Sequence, residues 1–246
     1  MKGKNLNYPN IQLGTFLTRP NRFIAHCLLD GKEVLVHVKN TGRGKEVFIK
    51  GAKVGLVYDA NPKRKTHYDL VSIKKGSQWI NIDSQLPNAL VFEGLKNKEI
   101  ILPDMASLTQ IKREVFYEDS KFDFYLKSGS KEAFLEVKGM TLENQQVGAF
   151  PDAPTKRGLK HVLELKKASL AGFQTYLFFL AQSAEMKVST IHQTMQPQLA
   201  LAIKEAQEVG MQVICYNCLV GPGKIVLHEK IPFSLDYSFT DPNVSL

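Results

Sequence analysis

The chain has 246 residues, 43% of them hydrophobic, 23% charged and 9% aromatic, which excludes the disordered, collagen-like and disulfide-scaffold classes. The net charge of +8 is uneven: residues 1–80 carry fifteen Lys and Arg against five Asp and Glu, and the remainder seventeen against nineteen. Two modules are therefore expected, the first offering a positive surface to a polyanion, of which nucleic acid is the commonest. No apolar run approaches the about eighteen residues of a membrane span, and Met1-Lys2-Gly3-Lys4-Asn5 leads into no apolar segment. No membrane association is expected, and the three cysteines, Cys27, Cys215 and Cys218, suit a reducing compartment, the cytoplasm.

The first module reads as short strands, Ile11–Leu17, Arg22–Leu29, Glu33–Val38, Val54–Tyr58, His67–Lys74 and Gln78–Ile82, each bounded by Gly, Pro, Asn or Asp. Asp30-Gly31 is a two-residue hairpin signal of the type I′ kind. So many short strands suit a small barrel, either OB-like or SH3-like, and the OB form also binds nucleic acid. Arg43, Lys45, Lys63, Arg64 and Lys65 are its candidate phosphate contacts, and Phe16, Phe23 and Phe48 its candidate stacking platforms.

After Asp83 the segments lengthen. Helices are expected over Ser84–Lys98, Thr155–Ala171 and Pro197–Val209, and strands over Arg113–Tyr117, Lys121–Lys127, Ala133–Lys138, Gln174–Ala181, Met211–Val220 and Lys224–Leu227. This pattern predicts an α/β (α+β overall) protein, with a barrel domain over residues 1–83 and a mixed sheet flanked by helices over 84–246.

The chemistry centres on one hairpin. With Gly129-Ser130 as a two-residue type II′ loop, Leu126 faces Ala133, Phe124 faces Leu135 and Phe122 faces Val137, an entirely apolar face. On the other face Asp123 then lies opposite Glu136, with Lys138 two residues further along. Opposed carboxylates with Cβ atoms about 4.5–5.5 Å apart repel unless a cation or a proton sits between them. Mg²⁺ or Mn²⁺ held by Asp123 and Glu136, with Lys138 beside the attacking water, is what phosphodiester hydrolysis needs. A solvated sheet face with an ordinary ion pair is the other reading of these residues.

Asp123, Glu136 and Lys138 resemble the Asp…Glu-x-Lys core of the PD-(D/E)xK nuclease fold. Nearly the whole chain resembles the sugar fermentation stimulation protein A (SfsA) family, through Asn40-Thr-Gly-Arg43, Ser84-Gln-Leu-Pro-Asn88, Lys121-Phe-Asp-Phe124, Leu135-Glu-Val-Lys138 and Phe150-Pro-Asp-Ala-Pro-Thr-Lys-Arg-Gly-Leu-Lys-His161. Ser183 departs from the pattern, standing where an Arg is expected. The resemblance implies an N-terminal OB-like domain, a C-terminal nuclease-like domain, and binding of DNA, duplex or single-stranded. Three functions stay open: a Mg-dependent nuclease, a non-catalytic DNA-binding regulator of sugar (maltose) metabolism genes, or an RNA or single-strand binder of the OB type. A homodimer is also open, since many nucleases of this type act as dimers.

Other candidates surround this core. Glu114, on the preceding strand, is a candidate third carboxylate or else a surface charge. Arg157 and His161, at i and i+4 after Pro154, are candidate phosphate contacts near a helix N-terminus. Gln182, at a strand end, is a candidate contact to the scissile region or a structural amide. Cys215-Tyr-Asn-Cys218 has CxxC spacing, but with no second pair or neighbouring His it reads as two structural thiols.

Overall fold

The computed structural model describes residues 6–40 and 42–244. Strand β1 (Leu6–Asn7) is followed by β2 (Ile11–Asn21), β3 (Ile24–Leu29), β4 (Lys32–Val38), β5 (Lys53–Tyr58), β6 (Tyr68–Lys75) and β7 (Gln78–Asn81). Strands β2 to β6 close into a five-stranded barrel through a parallel pairing of β4 with β6, Val36 opposite Tyr68 and Val38 opposite Leu70. That closure makes the barrel OB-like and decides between the two forms left open by the sequence. The expected hairpin forms where Leu29 meets Lys32, with Asp30 at φ 48° and Gly31 at φ 76°, the two positive angles a type I′ turn requires. Phe16, Ala25, Val36, Val54, Leu56 and Leu70 fill the interior, drawn from alternate positions along their strands.

Helix α1 (Leu86–Lys96) leads into the meander β8 (Gln110–Tyr117), β9 (Ser120–Ser128) and β10 (Lys131–Met140). Two short strands, β11 (Leu142–Asn144) and β12 (Val147–Phe150), precede helix α2 (Lys156–Leu170), β13 (Gln174–Ala181) and β14 (Val188–Ile191). Helix α3 (Pro197–Glu208), β15 (Gln212–Gly221) and β16 (Lys224–Ile231) complete the order. The large sheet runs β1-β16-β15-β13-β10-β9-β8, with β13 parallel to both β10 and β15. Helix α1 packs Leu90, Val91 and Leu95 on one face of it, and α2 and α3 pack Val162, Leu165, Ala168, Leu199 and Ile203 on the other. The second half is thus a mixed sheet between helical layers, its parallel strands joined by crossover helices.

Three departures from the sequence reading matter. Leu6 and Asn7 join the large sheet through β16, so the first residues described do not belong to the barrel. A three-stranded sheet of β11, β12 and β14 forms from segments too short to show a periodic pattern. Phe122 does not face Val137: it packs its ring 5.2 Å from Phe134 on the α2 side, whereas Phe124, Leu126, Leu135 and Val137 lie on the α1 side.

A buried polar network ties the halves together. Asp83, 3% exposed, receives Lys39 Nζ at 2.9 Å and the Tyr8 hydroxyl at 3.1 Å. Gln182 Nε2 donates to Asn81 Oδ1 at 2.8 Å and to the Asp83 carbonyl at 3.2 Å. Gln182 is therefore the structural amide of the two alternatives.

Candidate metal and phosphodiester site

The β9–β10 register is the expected one as far as Leu126 opposite Ala133 and Phe124 opposite Leu135, but Asp123 and Glu136, expected as the next directly opposed pair, are not paired in the ladder. Gly129 takes φ 60° at the first loop position, as a type II′ turn requires. Beyond Phe124 the ladder stops, and the Asp123 side chain replaces the next backbone partner. Its Oδ2 accepts the Val137 N–H at 2.8 Å, and its Oδ1 accepts Asn88 Nδ2 at 2.6 Å. The pairing of β9 with β8 is interrupted at the same level, between Arg113↔Phe124 and Val115↔Phe122, where Glu114 takes φ 54°. This double break accompanies the displacement of Phe122 to the other face.

Glu136 lies on the α2 side of β10 and is 2% exposed. Its Oε1 accepts Lys138 Nζ at 2.5 Å and is also hydrogen-bonded to His161 Nδ1. His161 Nε2 in turn lies 3.4 Å from Arg157 Nε, an arrangement that suits a proton on Nδ1, facing Glu136. Glu136 Oε2 is buried and has no hydrogen-bond partner. A bare carboxylate oxygen in a protein interior is costly, because it has given up water for nothing.

The two carboxyl groups are pushed in opposite directions. Burial raises the Asp123 pKa, the negative charge of Glu136 raises it further, and the Val137 N–H, Lys138 and Asn88 only partly offset this. Burial would also raise Glu136, but the hydrogen bond from His161 and the charge of Lys138 outweigh it and hold Glu136 below its ordinary value. Glu136 is thus the firmly ionised member, and Asp123 resists ionisation beside it. A cation held by the two carboxylates would offset their mutual repulsion. Among the described residues no cluster of three or more His, Cys, Asp or Glu side chains is arranged to hold a metal ion. The pair nevertheless suits a hard cation such as Mg²⁺, which is commonly held by one or two carboxylates and keeps several waters.

The other candidates fall into two groups. His161, read from the sequence as a surface phosphate contact, is 5% exposed and faces Glu136 instead. The reason is periodicity, since it shares the inward stripe of α2 with Gly158, Val162, Leu165 and Ala168. Arg157 stays exposed beside it. Lys160 Nζ is spent on the Asp119 carbonyl at 2.6 Å. Glu114 stands outside the site, its side chain 63% exposed and its carboxylate on Lys121 Nζ at 2.8 Å, which draws its pKa down. Arg64 is not a free phosphate contact, because Asp59 and Asp69 both hold its guanidinium, while Lys63 and Lys65 remain exposed. Arg43 and Lys45 are exposed on the barrel side of a cavity between the halves. Among the proposed stacking residues, Phe16 is core, Phe48 is partly buried and Phe23 is 50% exposed.

Asn88 escaped the sequence reading as a site residue, although it closes the Ser84–Asn88 motif. Its position two residues into a helix that starts Leu86-Pro87 is what aims it at Asp123. Cys215 and Cys218 lie on opposite faces of the large sheet, and burial pushes the Cys215 thiol up to about 12 and Cys218 higher still. They are structural thiols.

Fold and site together define a two-part α/β protein, an OB-like barrel joined to a helix-flanked mixed sheet with a carboxylate pair and a lysine on neighbouring strands. The chain belongs to the sugar fermentation stimulation protein (SfsA) family: residues 85–224 match the sugar fermentation stimulation protein RE domain, and residues 17–82 the SfsA N-terminal OB domain. It is 52% identical over 242 residues to a sugar fermentation stimulation protein homolog of Enterococcus mundtii, covering 97% of this chain and 100% of that protein. A homolog from Alkaliphilus oremlandii is 42% identical over 238 residues, covering 94% and 99%. A solved structure of Pyrococcus furiosus SfsA in complex with Ca²⁺ shares the fold with a TM-score of 0.84 at 24% identity, covering 94% of this chain and 100% of that one. No described helix is long and apolar enough to cross a membrane.

Proposed function

We propose that this protein is a divalent-metal-dependent phosphodiesterase acting on nucleic acid, with the metal held by Asp123 and Glu136. The observation that carries the reading is Glu136 Oε2, buried and unpartnered while Oε1 takes both Lys138 and His161. The oxygen left over points to a ligand that is not protein. The Ca²⁺ carried by the Pyrococcus relative is a hard cation of the same kind.

Asp123 is held by Asn88 and by the Val137 N–H, so its carboxylate cannot swing away from Glu136. Lys138 keeps its ammonium on Glu136, with its side chain only 15% exposed, and its two remaining N–H donors are free to meet charge that develops on a phosphate oxygen. His161 holds Glu136 in one rotamer. When bound, a divalent cation supplies Lewis-acid stabilisation of phosphate charge and lowers the pKa of a ligated water. The excess positive charge of residues 1–80 gives the substrate a surface to rest on.

The test is cleavage of labelled single-stranded, duplex and branched DNA in Mg²⁺ or Mn²⁺, with EDTA and Glu136→Ala as controls. Turnover by the wild type that both controls abolish is the expected result. Salt-sensitive binding without turnover by any of them leaves the second function, a non-catalytic DNA-binding regulator of sugar-utilisation genes.

A further inference from the structure

The barrel and the second half meet at the loop carrying Gly42 and Arg43, and a cavity opens on each side of it. The larger, about 750 Å³, runs between the barrel wall and Ala153-Pro154, just before α2. The smaller, about 160 Å³, lies among Gly42, Ser84, Asp152 and Gly139, the residue after Lys138. Gly42 lines both. A Cβ at Gly42 would stand 1.9 Å from Asp152 Oδ2, so a bare backbone is what lets the loop sit this close to α2.

The larger cavity is basic on its barrel side. Arg19, Arg22, Arg43, Lys45 and Lys50 line it together with Phe48, and none of the described lining residues is acidic. Arg19 is built into the wall: its guanidinium donates to the carbonyls of Arg43 at 2.8 Å, Arg22 at 2.8 Å and Asn40 at 2.7 Å, and lies 4.2 Å from the centre of the Phe48 ring. It thereby fixes the backbone of both neighbouring basic residues, whose side chains stay exposed. The cluster Lys63-Arg64-Lys65 lines neither cavity, and its central charge is cancelled by Asp59 and Asp69.

Two features favour one strand over two. The smaller cavity, at about 160 Å³, is too small for paired strands, so only an unpaired end could enter it, beside Asp152. An aromatic surface also neighbours the basic rim in Phe23, half-exposed and next to Arg22 of the cavity wall, whose guanidinium lies 5.9 Å from its ring centre. Bases inside a duplex stack on each other and offer such rings nothing, whereas an unpaired strand presents base faces.

We propose that a single nucleic-acid strand lies in this gap, its phosphates on Arg22, Arg43, Lys45 and Lys50 and its leading end passing Gly42 to reach Lys138. The proposal rests on nucleic acid being the ligand, as read above, but not on turnover.

The experiment is fluorescence anisotropy with a labelled single-stranded 20-mer and its blunt duplex, in EDTA so that nothing is cut. The single strand is expected to bind at least tenfold more tightly than the duplex. Arg43→Ala with Lys45→Ala should weaken it about tenfold and lower the slope of log affinity against log salt by about 1.4, the value for two lost single-strand phosphate contacts. Phe23→Ala should weaken single-strand binding about tenfold and leave duplex binding unchanged. Lys63→Ala with Lys65→Ala should change single-strand affinity less than twofold. Equal or tighter duplex binding, or wild-type affinity in the Arg43/Lys45 variant with its circular dichroism intact, overturns the proposal. Cleavage in Mg²⁺ is scored separately: cutting without strand preference removes the track and keeps the phosphodiesterase, and strand preference without cutting does the reverse.

Discussion

His161 on α2 and Glu136 on β10 meet inside the protein, Nδ1 against Oε1, twenty-five positions apart in the chain. The contact fills one oxygen of the carboxylate and leaves the other bare. Such partners set both the orientation and the basicity of a metal-ligating group.

Removing the partner should therefore weaken cation binding without abolishing it. His161→Ala is expected to lower Mn²⁺ affinity by about 10–100-fold, the usual effect of losing an outer-shell partner. His161→Asn, whose amide can still donate to Oε1, should recover much of that loss. Calorimetric titration with Mn²⁺ checks this, and equal affinities in all three proteins would reduce the histidine to packing.

The opposite pKa shifts of the two carboxyl groups predict opposite stability effects in metal-free protein. Asp123 is raised, so the stability of its neutral form is present below the ordinary carboxylate range and lost as pH rises through its folded value. Asp123→Asn should then stabilise the metal-free protein at pH 7 by on the order of 1 kcal/mol, roughly 2–4 °C in Tm, with the gain vanishing near pH 3. Glu136 is lowered, so its contribution is present above the ordinary range and lost as pH falls through its folded value. Glu136→Gln should cost about 1–3 kcal/mol at pH 7, since Lys138 loses its carboxylate. Thermal melts in EDTA from pH 3 to 8 measure both.

The thiols should be inert. Cys215 and Cys218 are buried, their pKa values raised by burial, and they sit on opposite faces of the sheet. Thiol-reactive dye is expected to label neither in the native protein and both in denaturant. Rapid native labelling of either would reopen a redox reading of the CxxC spacing.

What is legible in the sequence is the part carried by local rules. The β9–β10 register follows from one Gly-Ser loop and an apolar alternation, and these alone bring Asp123, Glu136 and Lys138 to neighbouring strands. The three helices follow from periodicity, with Thr155 capping α2 by accepting the Gly158 N–H at 2.9 Å. His161 misleads because its spacing from Arg157 suggests a basic surface, whereas the stripe of Val162, Leu165 and Ala168 carries it inward. The loss of Arg64 is in principle visible, with Asp59 and Asp69 each five positions away. The displacement of Phe122 is not, because it accompanies breaks in two ladders at once. Asn88 is hidden for a similar reason, since its partner is thirty-five positions away on another element.

Whether Asp123 and the free oxygen of Glu136 form one cation site is settled by calorimetric titration of the whole protein with Mn²⁺ and Ca²⁺ at pH 7.5. Saturable binding is expected in the wild type, weakened about 10-fold or more by Asp123→Asn and by Glu136→Gln while both variants remain folded. Absence of saturable binding in the wild type, or unchanged binding in both variants, would refute a shared site.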